Sequence, residues 1–98
     1  MHNAVLIHQD DNVATVLVDV VVGAVVTWNA AGGTGGDLAD PRAPVTAGEA
    51  VPAGHKIAIA DIAAGEAIRK YGHTIGVAGA AIARGRHVHT HNLTGQEA

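Results

Sequence analysis

The chain has no cysteine and no phenylalanine, and among its 98 residues only one tryptophan (Trp28), one tyrosine (Tyr71) and three prolines. Without cysteine there are no disulfides and no thiolate ligands, so any metal site must be built from nitrogen and oxygen. With so few aromatics, the core has to be filled by small side chains. The apolar 48% is mostly Ala, Val and Ile, and β-branched filling favours a sheet structure over a helical bundle. Positive charge is scarce too: six Lys and Arg face nine Asp and Glu, a formal charge of −3, which argues against an electrostatic nucleic-acid binder. No apolar run is long enough to cross a bilayer, and the first residues lack the charged-then-apolar pattern of a leader. The expectation is one cytoplasmic domain over residues 1–98, with a modest core and no business with nucleic acid or membrane.

What is abundant is glycine, thirteen residues, and histidine, seven. Several glycines sit at the centre of an apolar–x–x–Gly–x–x–apolar unit: Val20-Gly23-Val26, Val45-Gly48-Val51, Val51-Gly54-Ile57, Ile62-Gly65-Ile68 and Ile82-Gly85-Val88. Glycine at the centre suits a turn that needs positive φ, and the flanking apolar residues would begin and end short strands on one core. The pattern predicts an all-β fold of short strands folded back repeatedly. A first strand is expected over 4–8. Residues 13–22 read as a buried strand or as a strand with a bend at Asp19, and Gly23 then turns the chain into 24–28 as the return strand of a hairpin. The Gly- and Pro-containing stretch 29–50 reads as an inserted loop, and 95–98 as a tail. The Ala-rich stretch 76–83 is equally compatible with a short helix.

The stretch with the most chemistry is Gly85-Arg86-His87-Val88-His89-Thr90-His91-Asn92. On a strand, the period of two places His87, His89 and His91 on one face, with neighbouring imidazoles roughly 6–7 Å apart. Two of them would reach one metal ion or one anionic ligand; a solvated strand or hydrogen-bonded core histidines would give the same pattern. His55, behind Gly54, is the natural additional member. His8 and Asp11 flank a turn and are candidates for a general base or an oxygen ligand. In Lys70-Tyr71-Gly72-His73, a cation beside a hydroxyl suits a carboxylate substrate, unless Tyr71 simply packs its ring on the core.

Taken in order, Asp11-Asn12-Val13-Ala14, Gly54-His55-Lys56, Ile62-x-x-Gly65, Lys70-Tyr71-Gly72-x-x-Ile75-Gly76 and Gly85-x-His87-Val88-His89-x-His91-Asn92 resemble the SAF-type domain of the altronate and galactarate dehydratases. The resemblance implies a β-clip fold of long hairpins folded on themselves. It implies a lyase that removes water from a sugar acid, with the domain acting as a small subunit beside a large catalytic partner. It also implies a divalent metal, Fe²⁺ or Mn²⁺, as the Lewis acid for that elimination. Carried over by position, His55, His87 and His89 are the catalytic or metal-binding candidates, and Lys70, Tyr71 and Asn92 are candidates for binding the acid. A similar small subunit occurs in sulfolactate sulfo-lyases, where sulfite leaves instead of water, and the local motifs do not separate the two. A stand-alone carboxylate- or metal-binding module, or a homo-oligomer held by its apolar surface, would use the same residues without chemistry.

Overall fold

The computed structural model describes residues 2–28, 42–89 and 91–94. Nine short strands account for all the regular structure among them: β1 (Ala4–Val5), β2 (Val13–Val16), β3 (Val25–Val26), β4 (Val45–Thr46), β5 (Lys56–Ala58), β6 (Ala67–Lys70), β7 (His73–Ala78), β8 (His87–Val88) and β9 (Leu93–Thr94). They form a four-stranded sheet in the order β1-β2-β5-β8, a pair β3-β4 and a three-stranded sheet β6-β7-β9. Every pairing is antiparallel.

The four-stranded sheet divides the interior in two. Alternation along β2 and β5 sends Ala14, Val16, Ile57 and Ile59 to one side, where they pack around fully buried Trp28 with Val26, Val45 and Val51. Val13 and Ala58 go to the other side, with Ile62, Ile68, Ile75, Ile82 and Val88. This second core contains no aromatic ring and is packed by β-branched and small side chains, as the composition requires.

The glycine-centred units explain how such short strands are joined. In four of them the glycine has positive φ: Gly23 at 87°, Gly54 at 85°, Gly65 at 82° and Gly85 at 93°. Each closes a turn in which the residue after glycine donates to the carbonyl three residues back: Ala24 to Val21, His55 to Pro52, Glu66 to Ala63 and Arg86 to Ala83. Glycine in the third position with positive φ is the requirement of a type II turn. The flanking apolar residues of all five units are buried. The turns are also paired, because Val20 bridges Val51 and Ile62 bridges Ile82.

Three expectations are corrected. Residues 76–83 are not helical: Gly76 to Ala78 belong to β7 and Ile82 bridges Ile62. Alanine's helix propensity loses to the sheet partners on both sides, and Gly76 packs against the Thr94 carbonyl so closely that a Cβ would lie 2.5 Å from it. The return strand after Gly23 pairs with β4 rather than with the preceding strand. The turn moves the chain out of the central sheet, and among the described residues the Val20–Val51 bridge continues behind β2. Part of the expected 29–50 loop is therefore framework, since Val45 and Ala47 are buried; residues 29–41 and the expected tail, 95–98, lie outside the described residues. For 13–22, β2 ends at Val16 and a bend follows, as in the second of the two readings, but at Leu17–Val18 instead of Asp19.

Candidate active site

The β5–β8 pairing aligns Lys56 with Val88 and Ile57 with His87. Continued one step outward, this register sets His55 opposite His89. The two rings stack with centroids 4.1 Å apart, and His87 lies 5.0 Å from His55 and 5.6 Å from His89. Nδ1 of His55 and Nε2 of His87 share a hydrogen bond of 2.9 Å. One nitrogen from each of His55, His87 and His89 lies within 4.8 Å of the others, close enough to share one ion. Two segments more than thirty residues apart thus converge on a single imidazole cluster.

The backbone around the cluster is fixed by side chains. Glu49 accepts a hydrogen bond from the His87 N–H at 3.1 Å. Asn92 accepts from the His89 N–H at 3.0 Å and donates to the His87 carbonyl at 2.8 Å. That second clamp ends the strand at Val88, so the expected run of three histidines on one strand is a strand end followed by a turn. His91 still leans on His87, with centroids 5.1 Å apart. Nδ1 of His89 is buried and has no hydrogen-bond partner among the described residues.

Loss of solvation, followed by the neighbouring charge of His55, lowers the pKa of both His87 and His89, with Glu49 opposing the shift at His87 and Lys56 adding to it at His89. Both rings therefore favour the neutral form, which is the form that accepts a proton or binds a metal. Lys56, on β5, is only 4% exposed, and burial followed by the charge of Lys70 lowers its pKa as well. Sequence reasoning misses Lys56, because nothing local marks a lysine for burial. The register that pins it between Thr15 and Val88 is a long-range fact.

The other candidates fall elsewhere. Asp11, 1% exposed, receives backbone N–H groups from His8 at 3.1 Å, Tyr71 at 2.9 Å and Gly72 at 2.8 Å. Its oxygens are committed to its own turn and to the β6–β7 hairpin, away from the imidazole cluster. Tyr71 and Gly72 have φ of 59° and 75°, the type I′ geometry of a two-residue hairpin loop. The Tyr71 ring stands out in solvent beneath the Lys70 ammonium, 4.7 Å from the centroid, instead of packing on the core. No hydrogen bond or ring contact joins Lys70 or Tyr71 to the imidazoles among the described residues. Asn92 adjoins the cluster, but its amide already holds the turn.

Residues 2–96 match the model of the altronate/galactarate dehydratase SAF domain. The chain belongs to that SAF-domain family. As a SAF domain it is 42% identical over 86 residues to altronate dehydratase of Escherichia coli strain K12, covering 88% of this chain and 15% of that protein. It is 47% identical over 45 residues to the (2R)-sulfolactate sulfo-lyase subunit alpha of Chromohalobacter salexigens, covering 46% of this chain and 48% of that subunit. The SAF domain thus matches less than half the length of either relative. Both are lyases by name, one a dehydratase and the other a subunit. The fold is the all-strand one expected of this family, and no helix among the described residues is long and apolar enough to cross a membrane.

Proposed function

We propose that this SAF domain is the small component of a sugar-acid dehydratase of the altronate/galactarate type, and that His55, His87 and His89 form its part of an active site completed by a large catalytic subunit. The observation that carries the reading is the convergence of those three imidazoles from two distant segments, in a chain that matches the family almost end to end. Eliminating water from a hydroxy acid needs a base for the proton beside the carboxylate and help for the departing hydroxyl. Without a metal, the imidazoles of His87 and His89, which favour the neutral form, have lone pairs for the first task. The hydrogen bond shared by His55 and His87 gives a route by which a captured proton passes from one ring to the next.

The same donor set fits a divalent metal, Fe²⁺ or Mn²⁺. Three imidazole nitrogens within mutual reach, and the Nδ1 of His89 with no partner among the described residues, are what a ligand set requires before the ion arrives. His55, His87 and His89 would hold it, and bound there it would polarise the acid's oxygens. The match to a sulfo-lyase subunit favours a second leaving group, sulfite, on the same framework.

The test is reconstitution. Mixed with its catalytic partner, the chain is expected to dehydrate an aldonic or aldaric acid. The double variant His87→Ala, His89→Ala is expected to lose activity by about a hundredfold or more. Activity retained by an assembled complex of that variant would end the catalytic assignment.

A further inference from the structure

Beside the histidine cluster lies an open cleft of about 450 Å³, with Glu49, Ile82, Ala83, Arg86, His91 and Asn92 among its lining residues. The cleft is built into the same framework as the imidazoles. Glu49 is tied to the His87 N–H, Asn92 to His87 and His89, and the His91 ring touches His87. Arg86 is its cation. The Arg86 side chain lies across Gly48, where an added Cβ would come within 3.1 Å of Nε and 3.3 Å of Cδ. Gly48 is thus the flat bed on which the guanidinium is laid. The Arg86 side chain forms no ion pair among the described residues, and its single hydrogen bond there, to the Gly48 carbonyl, is 3.3 Å long. That leaves four of the five guanidinium N–H groups free of an acceptor among those residues.

We infer that this cleft is the carboxylate-binding end of the site, with Arg86 gripping a hydroxy acid's carboxylate through its planar fork and Glu49 accepting from a hydroxyl of the same molecule. The inference rests on the dehydratase reading for the class of ligand. A planar guanidinium matches a carboxylate with two parallel N–H···O bonds, which a surface ammonium cannot reproduce. A carboxylate alone beside Glu49 would be repelled. A polyhydroxy acid instead brings donors for Glu49 together with the anion for Arg86, so the pairing of opposite charges selects hydroxy acids over simple diacids. A ligand held there would extend toward His87 and His91, with its reacting carbons at the imidazoles.

The inference is tested by titrating the ¹⁵N-labelled 98-residue chain with galactarate, with adipate (the same diacid without hydroxyls) and with the uncharged galactitol. Galactarate is expected to move the amides of Gly48, Glu49 and Arg86 saturably, adipate to bind several-fold more weakly, and galactitol to leave them in place. Arg86→Ala is expected to weaken galactarate by about tenfold or more, and Arg86→Lys, which keeps the charge but loses the fork, by several-fold. Wild-type affinity in either folded variant, or no saturable shift at these amides, would overturn the inference. Failure of every reconstituted mixture to dehydrate a sugar acid would leave this binding result intact. Unaltered galactarate binding by Arg86→Ala beside an active complex would remove the cleft and leave the dehydratase reading standing.

Discussion

At the scale of single residues, the interior polar groups divide into those with full partners and those without. The Asp11 carboxylate accepts from three backbone N–H groups, and those of Tyr71 and Gly72 hold Tyr71 in a conformation that a bulky side chain rarely adopts. Asp11→Ala is expected to cost roughly 3 kcal/mol, about 10–20 °C in melting temperature; thermal melts followed by circular dichroism would show it. Lys56 is the opposite case, a side chain only 4% exposed whose ammonium has no acceptor among the described residues. Lys56→Met is expected to raise stability at pH 7 by roughly 1–3 kcal/mol, and a lower melting temperature would show that the ammonium has a partner. The histidines set a pH dependence. The folded pKa values of His87 and His89 lie below the usual imidazole value of about 6.5, so the folded state binds fewer protons than the unfolded chain in that range. Their contribution to stability is whole above about pH 6.5 and is lost as pH falls through the folded values. The melting temperature is expected to drop on acidification toward pH 5, and less steeply in His87→Gln, His89→Gln. The grouping of His55 with His87 and His89 was legible in the motifs. The commitment of Asp11 and Asn92 to turns was not, because it depends on which backbone N–H groups the fold brings opposite them.

At the scale of elements, the glycine-centred units were the most legible feature, because a type II turn makes a local demand that spacing alone reveals. What spacing does not reveal is where each turn lands. Gly54 and Gly65 have open space where a Cβ would stand, whereas at Gly85 a Cβ would collide with the Thr46 carbonyl. Gly54→Ala and Gly65→Ala are therefore expected to cost about 1–2 kcal/mol for the positive φ alone, and Gly85→Ala clearly more. Equal losses in denaturant titrations of the three variants would refute that ranking. The partner of β3 and the loss of the expected helix belong to the same class of fact. Val25 and Ala80 carry no local sign of the strands that lie beside their neighbours.

At the scale of the whole molecule, the two cores share one sheet, and each strand in its middle contributes to both. Such an arrangement is expected to unfold as one unit. Trp28 reports on only one core, yet its fluorescence transition in urea should coincide with that of the far-ultraviolet signal. Separated midpoints would mean that the two halves are independent.

The shared sheet has a further consequence for how this domain tolerates insertions. Adding one residue within β5 would exchange its faces, carrying Lys56 into the company of Trp28 and turning Ile57 toward the aromatic-free core. It would also move His55 out of register with His89 and dismantle the imidazole cluster at a stroke. The segment from Gly54 to Ile59 is in this sense a ruler: its length, as much as its composition, decides whether the histidines meet.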